Sequence, residues 1–126
     1  MKGNKQAELL WAKYKYEVMW HSQKHYLAIR EVLKQEVDIN DIQTLIDDAL
    51  VIKPTKGSIL NTFDHLWGYF KKICEVDEKQ QYLALKENFM NDEAAASVLI
   101  QFIQKLSVRY NVAYLLNSSL LFKFDK

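Results

Sequence analysis

Apolar side chains recur every three or four positions along most of this chain, the spacing that places them on one face of a helix. The clearest case lies between residues 59 and 73. Five apolar residues there fall on one helical stripe: Ile59, Phe63, Leu66, Phe70 and Ile73. Four polar or small residues fall on the opposite stripe: Asn61, His65, Gly68 and Lys72. An ordinary solvent-facing stripe carries good helix formers such as Lys, Glu, Gln and Ala, so this second stripe is a candidate site.

The same periodicity predicts a first helix over about residues 5–34, with a kink near Ser22. Asp38 or Asn40 can cap a short acidic helix, which must end before Pro54 because a residue preceding proline is pushed out of helical geometry.

Four further helices and a C-terminal tail complete the predicted secondary structure. Ser58 or Thr55 can cap a central helix that continues to about Cys74. Two helices are predicted over residues 77–90 and 94–108. Asn111 can cap a last short helix, and residues 122–126 form a tail that can adopt an extended conformation.

Three glycines and one proline leave little scope for strands, hairpins or flexible linkers. We therefore predict an all-α fold, a single-domain antiparallel bundle of about six helices with short loops over residues 1–126.

A single cysteine, Cys74, excludes an internal disulfide and cysteine-ligated zinc or iron–sulfur sites, and it fits a reducing compartment. No apolar run is long enough to cross a bilayer, and residues 1–10 lack the apolar core of a signal peptide. We expect a cytoplasmic protein with no membrane partner and no cofactor.

Charge alternates along the chain, although the formal net charge is only +1. Residues 1–34, 53–72 and 94–126 carry +4, +3 and +3, whereas residues 35–52 and 73–93 carry −5 and −4. Alternating charges are compatible with solvated helix faces or with a locally basic binding surface.

Catalytic and metal signatures are weak. His21 and His25 have the spacing of a metal-binding pair, but Ser22 stands where a zinc protease needs glutamate, and we predict no metal site. The basic loop 53–58 lacks the glycine pattern of a nucleotide-binding loop, yet a helix N-terminus beside two lysines can hold one phosphate of a larger ligand. Trp20 and Tyr69 lie among basic residues, as base-stacking aromatics do.

Two sequence motifs resemble one known family. The first motif, residues 10–26, has a lysine followed six residues later by His-Ser and then by a tyrosine: Lys15, His21, Ser22 and Tyr26. The second motif, residues 61–72, has an asparagine, a histidine four residues on and then Gly-Tyr-Phe-Lys: Asn61, His65, Gly68, Tyr69, Phe70 and Lys71. Both resemble the YbgA-like family, a helical domain of unknown function. The C-terminal segment 112–126 departs from its pattern.

The resemblance implies a function in RNA metabolism. Members of that family occur alone or fused to TudS-like thiouracil desulfidase domains, where the domain is implicated in holding tRNA. We therefore expect an RNA-binding accessory domain for tRNA or another structured RNA. One cysteine cannot hold a cluster, so a desulfidase would be a separate chain acting in trans. The expected RNA-binding residues are Lys15, His21, Tyr26, Asn61, His65, Gly68, Tyr69, Lys71 and Lys72.

Two alternatives remain open from the sequence. A small enzyme acting on a nucleotide or thiolated base could use His21 or His65 as general base, with Lys15 or Lys71 stabilising negative charge. Alternatively, the polar residues of the two motifs could form a structural hydrogen-bond network in an interaction module. Convergence on one closed pocket would favour the enzyme, and a spread over an open basic surface would favour RNA binding.

Overall fold

Eight helices account for the regular secondary structure of residues 2–122, the part of the chain that this computed structural model describes; side chains are described for residues 5–122. Their bounds are α1 Lys2–His21, α2 Gln23–Val32, α3 Ile39–Leu50, α4 Lys56–Trp67, α5 Val76–Met90, α6 Ala96–Arg109, α7 Ala113–Leu116 and α8 Ser119–Phe122. The prediction of an all-α fold is confirmed. Six of the helices have ten or more residues, and α7 and α8 are single turns.

Ser22 separates two helices where the sequence predicted one kinked helix. Its backbone is extended (φ −161°, ψ 112°), and its side chain accepts a hydrogen bond from the backbone N–H of His25 at 3.1 Å. Serine stabilises a helix start better than a helix interior, which is why α1 stops here and α2 begins. This break turns the chain so that α2 can pack on both α1 and α3.

The predicted caps of α3 and α4 are confirmed, with one choice settled in each case. Asp38 caps α3 by accepting from the Asn40 N–H at 2.7 Å. Thr55 caps α4 and forms a capping box with Ser58, in which each side chain accepts a hydrogen bond from the other residue's backbone N–H.

The prediction that the central helix continues to Cys74 is wrong, because α4 ends at Trp67. Gly68 follows as the C-cap, and its N–H is shared among three preceding carbonyls, the geometry of a tightening last turn. Residues 68–73 then form turns. The apolar stripe is buried at Phe63, Leu66 and Phe70, but Ile73 lies beyond the helix and is 55 % exposed.

The C-terminal elements differ from prediction mainly at their starts. Glu75 rather than Asp77 is the N-cap of α5, and α6 begins at Ala96. Asn111 does not cap a helix: it takes a positive φ of 51° just after α6, and Val112 precedes α7 instead. Phe122 ends α8, and residues 123–126 of the predicted tail lie outside the described residues.

Two hydrophobic clusters both contain residues of α1. One joins α1 to α2 and α3 through residues such as Trp11, Ile29 and Ile46. The other joins α1 to α4 and the C-terminal helices through residues such as Met19 and Phe63. The first and second motifs therefore meet inside the second cluster. None of the described helices is long and apolar enough to cross a bilayer.

Candidate functional site

The two motifs pack directly against each other. Tyr16 of α1 and Tyr69, just beyond α4, share a hydrogen bond of 2.8 Å between their hydroxyl groups. At the other end of α4, the Ser58 hydroxyl donates to the backbone carbonyl of Trp20 at 2.7 Å. These two contacts show that α1 and α4 run in opposite directions.

A cleft of about 380 Å³ lies where α1 ends and α4 begins. His21, Asn61 and Lys53 line it together with the Ser22 break and the capping box. The Nδ1–H of His21 donates to the carbonyl of Ile52 at 2.7 Å, and the Asn61 amide donates to the side-chain oxygen of Gln23. Both side chains are thus oriented by protein partners, while the cleft retains a cation and a helix N-terminus, a combination suited to one phosphate.

Three tyrosines and Lys15 form a second group near the C-terminal end of α4. The Tyr16 ring lies edge-on to Tyr69 and Tyr114, with centroids 6.3 and 6.4 Å away, and Tyr69 stacks on Tyr114 at 6.3 Å. The Lys15 ammonium lies 5.2 and 5.1 Å from the Tyr16 and Tyr114 centroids, as in cation–π contacts. Burial, followed by the hydrogen bond with Tyr69, raises the pKa of Tyr16 well above its usual value, so this hydroxyl stays protonated.

Four predicted site residues lie exposed along the outer side of the second motif: His65, Gly68, Lys71 and Lys72. The side chains of His65, Lys71 and Lys72 make no hydrogen bond or ion pair with the rest of residues 5–122. If Gly68 carried a Cβ atom, its three nearest atoms would belong to the backbone of Asp64 and His65, at 3.1 to 3.9 Å. Gly68 is therefore not packed against α1, and this part of the motif is open to a ligand.

Tyr26 has a different environment from the other predicted residues. It is half-buried, its ring centroid lies 5.5 Å from that of Trp11, and the Arg30 guanidinium lies 5.8 Å from its centroid. It packs against both hydrophobic clusters, which indicates a structural contribution.

The structure does not bring the predicted residues together in one closed pocket. His21 and Asn61 share the cleft, Lys15 and Tyr69 belong to the tyrosine group, and His65 lies on the exposed face of α4. The catalytic alternative pairs His21 or His65 with Lys15 or Lys71 in a closed pocket. His21 lines the cleft without either lysine, and His65 is exposed.

The histidines of the possible metal pair are separated by the Ser22 break. His21 binds the Ile52 carbonyl, whereas Nδ1 of His25 lies 2.7 Å from the Ser22 hydroxyl. Within residues 5–122, no three His, Cys, Asp or Glu side chains are grouped to hold a metal ion.

The acid of each motif contacts a side chain outside the motifs. Glu17, the one acid of the first motif, is 6 % exposed and accepts a hydrogen bond from Ser119 at 2.7 Å. Asp64, the one acid of the second motif, forms an ion pair with Lys86 at 2.9 Å and accepts from Tyr82. By contrast, the motif lysines Lys15, Lys71 and Lys72 form no ion pair with any described residue.

Sequence reasoning missed Tyr16 and Tyr114 as members of the site. Tyr16 was one of many aromatics at helical spacing, for which burial is the default interpretation. Tyr114 belongs to the segment that departs from the family pattern and lies far from Tyr16 in sequence, so no local motif could connect the two.

Comparison with known families places the chain. The family described as Protein of unknown function (DUF1722) matches residues 15–124. The chain belongs to this family. The DUF1722 match covers the whole second motif and the first motif from Lys15 onward. Searches among curated proteins and among solved structures returned no match.

Proposed function

We propose that this DUF1722 protein is an RNA-binding module whose ligand is a structured RNA, with tRNA as the first candidate. Support comes from the resemblance of the two motifs to the YbgA-like family and from the charge arrangement around them. The proposal extends to a partnership in trans with a tRNA thiouridine desulfidase, since members of the YbgA-like family occur fused to such domains.

The carrying observation is the separation of acids from bases in the two motifs. Glu17 is buried and Asp64 is paired with Lys86, so among the described residues neither forms an ion pair with Lys15, Lys71 or Lys72. Lysines without a protein counterion favour contacts with phosphate, since binding them to RNA breaks no ion pair and releases counterions.

The predicted residues divide into two roles under this proposal. Lys71 and Lys72 contact phosphates, His65 lies beside them, and Gly68 lets the backbone of the RNA approach closely. Lys15 and His21 extend this surface toward the tyrosine group and the cleft. Three residues hold the two motifs in place rather than forming the open surface: Tyr26, Asn61 and Tyr69.

A titration with bulk tRNA tests the proposal. Two or more phosphate contacts predict that affinity falls at least about tenfold for a fourfold rise in salt. The double variant Lys71→Ala/Lys72→Ala should bind roughly tenfold or more weakly near physiological salt. The matched control Lys79→Ala/Lys105→Ala removes the same charge from exposed positions on α5 and α6 and should bind like the parent. Salt-independent affinity, or equal losses in both double variants, would contradict the proposal.

A further inference from the structure

A groove of about 570 Å³ runs between α1 and α7, beside the tyrosine group. We call it the α1–α7 groove. Leu9, Ala12 and Lys13 form its α1 side, and Ala113, Tyr114 and Asn117 complete it. None of these six residues belongs to the set that the sequence motifs pointed to.

The groove combines apolar surface with polar groups at its margin. Leu9 is 64 % exposed and Tyr114 is 38 % exposed, although both are large apolar side chains. Lys13 makes no ion pair with any described residue, and no acid lines the groove. The Asn117 amide donates to the Ala113 carbonyl at 3.1 Å, and its side-chain oxygen has no hydrogen-bond partner among the described residues.

Tyr114 is held in place by the motifs themselves. Its ring packs on Tyr16 and Tyr69, and Lys15 lies 5.1 Å from its centroid. The α1–α7 groove therefore adjoins the tyrosine group, and an RNA bound to the residues of the two motifs would pass beside it.

We propose that the α1–α7 groove binds one unpaired nucleobase of that RNA. An aromatic wall, a small apolar floor, an amide acceptor and a cation are the groups that receive a splayed base and its phosphate. The absence of acids among the lining residues favours a polyanion over a basic or neutral peptide. This inference rests on the proposed function and adds the place where a base is stacked.

Filling the groove tests the inference. Ala113→Trp places a bulky ring in the groove while removing no packed side chain, since Ala113 is exposed. Ala84→Trp is the matched control, at an exposed position of α5, a helix that packs on α4 and α6. Fluorescence anisotropy would measure binding of a short oligoadenylate and of an abasic ribose-phosphate chain of equal length. Ala113→Trp should weaken oligoadenylate binding about tenfold, as for the loss of one stacked base, and leave the abasic chain nearly unaffected.

Two variants of Tyr114 separate stacking from folding. Tyr114→Phe keeps the ring and should bind oligoadenylate like the parent, whereas Tyr114→Ala should lose about tenfold. Thermal unfolding of both variants shows whether a loss reflects the fold instead, and a loss in Tyr114→Ala with a collapsed fold leaves Ala113→Trp to decide.

The outcomes distinguish this inference from the proposed function. If bulk tRNA binds through Lys71 and Lys72 but Ala113→Trp binds oligoadenylate like the parent, the base site is wrong and the RNA-binding proposal stands. If the parent binds neither tRNA nor oligoadenylate, both are wrong. If Ala113→Trp instead alters self-association, measured by sedimentation, with RNA affinity unchanged, the groove is a contact between copies and the inference is overturned.

Discussion

Hydrogen bonds or ion pairs join other side chains of the fold to the carboxylates of Glu17, Asp64 and Glu78. Glu17 accepts a hydrogen bond from Ser119, Asp64 is paired with Lys86, and Glu78 is buried at the α5–α6 contact. Glu78 accepts hydrogen bonds from Tyr110 at 2.5 Å and from the Glu75 N–H at 2.9 Å, and it is paired with Arg109. Burial alone would raise the pKa of Glu78, but these hydrogen bonds and the Arg109 charge outweigh it and lower that pKa below its usual value.

Replacing Glu78 by glutamine should make the free energy of unfolding less dependent on pH in the acidic range. A lowered pKa in the folded state means that the charged form of Glu78 stabilises the fold above its ordinary pKa of 4.5, and that this contribution is lost as pH falls through the lowered value. At neutral pH, Glu78→Gln should lower the free energy of unfolding by about 1.5 to 3 kcal/mol, the range for hydrogen bonds to a charged group.

Urea unfolding at neutral pH and at acidic pH measures this effect. The difference in the free energy of unfolding between the parent and Glu78→Gln should become smaller as the pH falls below the ordinary pKa range of glutamate. If this difference stays constant or becomes larger at acidic pH, the charge on Glu78 does not stabilise the fold.

At the level of elements, the sequence predicted the capped starts of α3 and α4 but not the end of α4. Thr55 and Asp38 were recognisable because a cap acts through hydrogen bonds to residues two or three positions away. The end of α4 was missed because apolar periodicity continues through Phe70, which is buried even though it lies in a turn. Burial of an apolar residue does not require helical backbone, so periodicity alone extended the helix too far.

Ser58 links the cap of α4 to the end of α1, and its removal should be costly. Ser58→Ala loses a hydrogen bond within the capping box and the bond to the Trp20 carbonyl. We expect a loss of about 2 kcal/mol in the free energy of unfolding, the sum of a typical cap and one further hydrogen bond. Thr44→Ala on the exposed side of α3 is the control and should change stability by less than about 0.5 kcal/mol. Denaturant unfolding compares the two, and equal effects would mean that the Ser58 link does not stabilise the α1–α4 contact.

For the whole molecule, the sequence predicted the class of fold. It did not predict that α1 would serve two hydrophobic clusters or that the motif residues would divide between a cleft, a tyrosine group and an open face. Those features depend on contacts distant in sequence, such as the Glu17–Ser119 hydrogen bond across 102 positions. Local spacing carries no information about such pairs. The partners of Glu17 and Asp64 could therefore be identified only from the three-dimensional structure.

The salt dependence of tRNA binding tests the central claim, that unpaired motif lysines contact RNA phosphates. The slope of log affinity against log salt reports how many phosphates the protein neutralises. In Lys71→Ala/Lys72→Ala this slope should be shallower than in the parent by about two, because each of the two lysines neutralises one phosphate. In Lys79→Ala/Lys105→Ala it should equal that of the parent. An unchanged slope in the first variant, or the same change in both, would contradict the account.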